Sequence, residues 1–134
     1  MTPGEMKSRL RAFALRCIKL ANAFPRNSAG SAVALQLTRS STGAAANYRA
    51  ACLGRSRADF IAKLKIVEEE LDESIFWVDL APDAGLVKRS LVKGLLQEGH
   101  ELLAIIVQSL KTAKCNKASE GKSAFGGPTD RSRR

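Results

Sequence analysis

Four runs of apolar residues spaced by threes and fours, separated by short polar breaks, constrain this chain more than any other feature. Met6, Leu10, Phe13, Cys17, Leu20, Ala21 and Phe24 form the first, and that spacing gathers side chains on one face of an α-helix. Thr2-Pro3-Gly4-Glu5 reads as a capping box with proline at the first helical position, where its missing N–H costs nothing. Pro25 ends the run by restricting Phe24 and withholding a donor. Asn27 and Ser28 are caps for a second helix to about Leu53, with Val33, Leu37, Ser40, Ala44, Tyr48 and Ala51 on one face. Ser56-Arg57-Ala58-Asp59 opens a third, on which Phe60, Leu64, Val67, Leu71, Ser74 and Val78 recur to about Leu80. Pro82 is expected to break it and Asp83 to cap a fourth, whose stripe is Leu91, Leu95, Gly99, Leu102, Ile106 and Leu110.

A helix of ~25 residues is ~37 Å long, so connections of a few residues force neighbours to lie antiparallel. The predicted fold is all-α, an antiparallel up-down-up-down four-helix bundle over residues 1–114. Residues 115–134, poor in aliphatics and rich in Gly, Ser and Arg, are expected to form a disordered basic tail. Aromatic residues are only 5% of the 134, so the core must come from Leu, Ile, Val and Ala. The stripe of the second helix is unusually small. Ala44, Ala45, Ala46, Ala50 and Ala51 permit close approach of a neighbour, and Gly43, which costs up to ~1 kcal/mol of helix propensity, suggests tight packing there.

Charge is segregated along the chain. Before residue 59 ten basic side chains face Glu5 alone, and between Asp59 and Asp83 eight acids meet only Lys63 and Lys65. Basic residues dominate again afterwards, for a net +9 and a pI near 10.0. Such an excess points to an anionic partner, with nucleic acid the usual one. The plainer alternative is that it keeps the protein soluble. The acidic third helix can serve subunit pairing, or can be a solvated face whose exposed ion pairs contribute only ~0–1 kcal/mol each.

Catalytic chemistry finds little support. A four-helix bundle with Glu68-Glu69-Glu70-Leu71-Asp72-Glu73 invites a di-iron reading, but that site needs Glu-x-x-His on two helices. His100 is the lone histidine, and Gln97 stands three residues before it. Gly121-Lys122-Ser123 resembles the end of a phosphate loop, yet Asn116 occupies the position of the required glycine. Cys17, Cys52 and Cys115 form neither a C-x-x-C pair nor a disulfide framework. No enzyme, cofactor or metal is expected. The chain shows no apolar run long enough to span a bilayer, its amino terminus lacks a signal-peptide core, and a cytoplasmic location is expected.

The blocks Gln36-Leu37-Thr38-Arg39-Ser40, Ala46-Asn47-Tyr48-Arg49-Ala50 and Arg55-Ser56-Arg57-Ala58-Asp59-Phe60-Ile61-Ala62-Lys63-Leu64 lead into Glu69-Glu70-Leu71-Asp72-Glu73-Ser74-Ile75-Phe76-Trp77. Their order and spacing over roughly residues 8–112 resemble the bacterial four-helix-bundle proteins encoded in intervening sequences of large-subunit ribosomal RNA genes. That family also includes the accessory variability proteins of diversity-generating retroelements. The resemblance implies a homopentamer without catalytic activity and, for the retroelement relatives, a basic surface that binds nucleic acid and a reverse transcriptase. Many relatives carry an acid after Asn-x-Arg, where this chain has Ala50.

Arg39, Arg49, Arg55 and Arg57, with Lys7 and Arg11 of the first helix, are therefore candidate nucleic-acid contacts. Asn47, Glu69, Glu73 and Trp77 are candidate subunit contacts. Each has a plainer role: Asn47 as an internal hydrogen-bond partner, Arg49 as an ion-pair partner of Glu69 or Glu73, and Trp77 as a core anchor. RNA or DNA bound through phosphates with little base readout is the expected ligand. The rival expectation is a protein–protein adaptor whose charged helices only build the oligomer.

Overall fold

The computed structural model describes the backbone of residues 1–126 and the side chains of residues 1–116. Four helices follow in chain order: α1 Pro3–Asn22, α2 Ser28–Cys52, α3 Arg57–Asp83 and α4 Arg89–Gly126. They form the predicted antiparallel bundle, each packed on its chain neighbour, with α4 closing more lightly on α1. Of the tail predicted from residue 115, Cys115 and Asn116 continue α4. The side chains beyond Asn116, and all of residues 127–134, lie outside the described residues.

The caps form as the sequence dictates. The Thr2 hydroxyl accepts from the Glu5 N–H at 3.1 Å, and the Glu5 carboxylate accepts from the Thr2 N–H at 3.3 Å. Two otherwise orphaned donors of α1 are satisfied in this way. The Asn27 Oδ1 accepts from the Gly30 N–H at 2.8 Å, and the Ser56 hydroxyl accepts from the Asp59 N–H at 3.1 Å.

The end of α3 differs from expectation. Pro82 lies in the last helical turn rather than breaking the helix, and Asp83 closes α3 instead of capping α4. The stop comes three residues after Pro82, at Gly85, which takes a left-handed φ of +75°. The Leu86 N–H donates to the Ala81 carbonyl and the Gly85 N–H to the Pro82 carbonyl, the pairing of a Schellman turn that only glycine adopts without cost. Leu86 is buried just beyond it. Arg89 then donates to the Asp79 and Asp83 carboxylates at 2.6 and 2.8 Å, tying the start of α4 to the end of α3.

The core is aliphatic, with Leu10, Phe13, Leu37, Leu64, Leu71, Leu102 and Ile106 sealed from solvent. Leu91, assigned to the stripe of the fourth helix, is instead 61% exposed, and Val92 takes the buried place. Position 92, not 91, falls in line with the buried Leu95, Gly99, Leu102 and Ile106. The seam between α2 and α3 is made of small residues. The Ser40 and Ser74 hydroxyls meet there at 2.9 Å; one donates to the other, and the second donates to a carbonyl of its own helix, Leu37 for Ser40 or Glu70 for Ser74.

Two glycines of α4 offer a test of this packing. At Gly99 an added Cβ would lie 2.9 Å from Ile75 and 3.2 Å from Phe13, whereas at Gly94 it would meet only the tip of Arg16 at 3.4 Å. Gly94→Ala should stabilise the bundle by up to ~1 kcal/mol through helix propensity. Gly99→Ala should destabilise it, because overpacking of ~1–3 kcal/mol outweighs the same gain. Urea unfolding of both variants checks the opposite signs.

Candidate nucleic-acid interface

Lys7, Arg11, Leu15 and Ile18 follow at steps of four, four and three along α1, which places them on one ridge beside the core stripe. On α2 the corresponding flank carries Thr42, Ala45, Ala46 and Arg49. Antiparallel packing sets these two ridges against one another, and together with Ala14 they line a groove of about 350 Å³. Its floor is small or aliphatic, with Leu15 53% exposed, and its cations are Lys7, Arg11 and Arg49. The alanines that narrow α2 let α1 approach and leave the floor shallow.

Three of the six candidate contacts thus converge. None of the three enters an ion pair among the described residues. By contrast Arg9, two residues from Lys7, turns to α4 and is neutralised by Glu98 at 2.6 Å and Glu101 at 3.3 Å. The hydrogen bond from its guanidinium to Glu98 holds the Arg9 pKa above its ordinary value.

The other three candidates lie elsewhere. Arg39 is exposed on α2, three residues before Thr42, and does not line the groove. Arg55 is exposed in the turn between α2 and α3. Asp59, just beyond it, has its carboxyl pulled below the usual range, first by its hydrogen bond from Lys63 at 2.6 Å and also by Arg55. Arg57 is half-buried and lines a second hollow with Phe60, Gln108, Thr112 and Asn116.

The candidate subunit contacts divide in a similar way. The Asn47 side-chain amide donates one N–H to the Gly43 carbonyl one turn back at 2.8 Å, which leaves its second N–H and its oxygen for other partners. Glu69 and Glu73 are exposed on α3, and Glu73 accepts from the Trp77 indole at 3.1 Å. Trp77 is half-buried and meets the exposed ring of Phe76 edge-on, with centroids 4.9 Å apart. Ile66, Glu69, Glu73 and Phe76 stand at steps of three, four and three, all exposed. No ion pair joins Arg49 to Glu69 or Glu73 among the described residues.

Sequence reasoning missed Leu15, Ile18, Thr42, Ala45 and Ala46, the uncharged part of the groove. Their signal was a second helical stripe on α1, running from Lys7 through Arg11 and Leu15 to Ile18 beside the core stripe. Ile66 and Phe76 were missed for the same reason, since an apolar residue off the main stripe attracts no notice until exposure is known. Among the described residues no cluster of His, Cys, Asp and Glu is arranged to hold a metal ion. No helix there is long and apolar enough to cross a membrane.

The fold and the charge pattern define a basic four-helix bundle with a cationic groove between α1 and α2 and an acidic third helix packed on the other side of α2. The chain belongs to the 23S rRNA-intervening sequence protein family, which it matches over residues 5–108. It is similar in structure to a protein of unknown function from the S23 ribosomal protein family of Bacteroides thetaiotaomicron. That likeness has a TM-score of 0.74 at 27% identity and covers 79% of this chain and 98% of the other. No curated protein matches the chain.

Glu70 supplies a pH-dependent test of the α2–α3 seam. Its carboxylate lies against Gly43, where an added Cβ would stand 3.1–3.3 Å from the carboxyl atoms. Burial first, then Glu73 and Glu69, push its pKa above the ordinary value. The folded state therefore holds the proton more tightly than the unfolded chain, and the ionised form opposes folding at neutral pH. Glu70→Gln should raise stability at pH ~7, and the gain should vanish as the pH falls below the ordinary glutamate value of ~4.3. Thermal melts across that range check it.

Proposed function

We propose that this protein is a non-catalytic nucleic-acid-binding protein whose contact surface is the groove between α1 and α2. The convergence of Lys7, Arg11 and Arg49 on one groove without carboxylates to neutralise them is the observation that carries this reading. Cations left unpaired in a folded chain remain free to displace counterions from a polyanion, which is the main source of affinity for phosphate backbones. Arg39 and Arg55 extend the cationic surface of α2 and of the turn that follows it. Among the described residues no base-reading module is present, so contacts to phosphate would position the ligand with little sequence readout. The resemblance to retroelement accessory proteins adds a reverse transcriptase as a partner acting on the same nucleic acid. RNA and DNA both fit the chemistry.

A second reading, self-association or adaptor function, is favoured by a different observation. The exposed stripe Ile66, Glu69, Glu73 and Phe76 combines two apolar anchors with two acids on the outward face of α3. Apolar anchors beside a charged rim suit a protein contact more than water. Because this stripe and the basic groove are different surfaces, identical copies that joined them would associate head to tail, and such contacts close into rings when the rotation permits. A homopentamer is the assembly that the family resemblance implies. Intracellular, cytoplasmic action is part of the same proposal.

Each reading has its own measurement. For the groove, titration of labelled RNA and DNA should show log Kobs falling with log salt at a slope near −2, about −0.7 for each of three phosphates on a single strand. Lys7→Gln, Arg11→Gln and Arg49→Gln should each weaken binding and flatten that slope, and binding indifferent to salt would sink the proposal. For α3, light scattering should show a species larger than the 14.4 kDa chain. The double substitution Glu73→Lys with Phe76→Ser should reduce it to monomer while the helical signal is kept.

A further inference from the structure

We infer that the α1–α2 groove is built for single-stranded nucleic acid and discriminates against duplex. This rests on the groove reading above and names its ligand class. The discriminating observation is the floor. Beneath the cations Lys7, Arg11 and Arg49 lie Ala14, Leu15, Ile18, Ala45 and Ala46, and Leu15 leaves 53% of its surface in water.

A duplex offers such a floor nothing to bury. Its bases are stacked inside, and the surface it brings to a protein is phosphate and sugar unless an element enters a groove some 6–12 Å wide. The groove here is a recess between two helices and cannot enter a duplex; the ligand must enter it. A single strand is amphipathic in the sense the groove requires, with phosphates on one side and unstacked base faces on the other. Phosphates would sit on the three cations while one base covers Leu15 and the adjoining alanines. At about 350 Å³ the recess is at the small end of ligand pockets, ~300–1,000 Å³, and takes a segment of strand rather than a folded element.

The cations are spaced to follow a strand. Lys7 and Arg11 are one turn apart on α1, a rise of ~6 Å, and Arg49 stands across the groove on an antiparallel helix ~8–10 Å away. Arg39 and Arg55 continue the positive surface beyond either end of that set, where a ligand of repeated charge gains from each in turn. An acidic peptide with two or three carboxylates would match the groove cations alone and leave Arg39 and Arg55 unused. No aromatic side chain lines the groove, so stacking platforms of the usual kind are missing, and affinity for any one base should be weak and sequence-tolerant.

The test is fluorescence anisotropy on the full chain with a labelled single strand of roughly twelve nucleotides, within the ~4–16 that one small domain covers. The same sequence annealed to its complement and a glutamate-rich helical peptide of equal charge are compared at one salt concentration. Single strand should bind at least about tenfold more tightly than duplex, a difference of ~1.4 kcal/mol. Leu15→Gln, which keeps the charge and sits at an exposed position, should weaken single-strand binding several-fold and leave duplex binding unchanged. Circular dichroism melts confirm that the variant is folded. Duplex bound as tightly as single strand, or Leu15→Gln weakening both alike or neither, overturns the single-strand inference and leaves the basic groove standing. Peptide bound as well as the strand and with the same sensitivity to Leu15→Gln overturns it in favour of a protein ligand. No binding of either nucleic acid at low salt removes the groove reading itself.

Discussion

The close approach of α2 to α3 is the constraint from which the other features follow. Ser40, Gly43 and Ala44 give α2 a face with almost no side-chain height, and α3 settles onto it until the Ser40 and Ser74 hydroxyls touch at 2.9 Å. Buried hydroxyls would be costly without partners. One hydroxyl donates to the other and the second to a carbonyl of its own helix, so the seam is satisfied internally and polar content does not weaken it. The bulk missing from α2 is supplied by Leu64, Val67 and Leu71 opposite. Glu70, at the edge of the seam, is drawn over Gly43 because no Cβ stands there to keep it away.

The same poverty of side-chain volume shapes the other flank of α2. Ala45 and Ala46 cannot fill the space between α1 and α2, and the result is a recess rather than a ridge. Helix-helix packing normally closes such space by interdigitating side chains. Here the closure is left to long cations on the rim, which cover apolar surface with their methylene stems while keeping their charges in water. One run of small residues thus makes a tight seam on one side of α2 and an open groove on the other.

Much of this was legible in the sequence, and the boundary of legibility is physical. Helix starts were plain because capping side chains stand at fixed offsets from the N–H groups they satisfy, as at Thr2, Asn27 and Ser56. The stop of α3 was misplaced because Pro82 carries a strong local signal, whereas Gly85 terminates the helix through φ, which the sequence only permits and does not compel. Leu91 was misplaced because it stands four residues before Leu95, a helical step as good as the three from Val92, and only the packing of α4 decides between them. Lys7, Arg11 and Arg49 were identifiable as cations, but their convergence depends on how α1 and α2 align. Arg57 looked equivalent to Arg55 in sequence, and the fold separated them by turning one into a half-buried wall of a different hollow.

Charge segregation acquires its meaning only in three dimensions. A basic first half and an acidic third helix could have neutralised one another inside the bundle, and the Arg9 contacts with Glu98 and Glu101 show what that looks like. It does not happen for Lys7, Arg11 and Arg49, none of which pairs with a carboxylate of α3 among the described residues, although α2, which carries Arg49, packs directly on α3. Up-down-up-down topology favours this separation for Lys7 and Arg11, since the first and third of four helices are not neighbours around the bundle. The chain therefore presents two surfaces of opposite sign that do not pair with each other among the described residues. Each remains available to something else, the basic one to a polyanion and the acidic, apolar-tipped one to a protein surface, and occupancy of one leaves the other open.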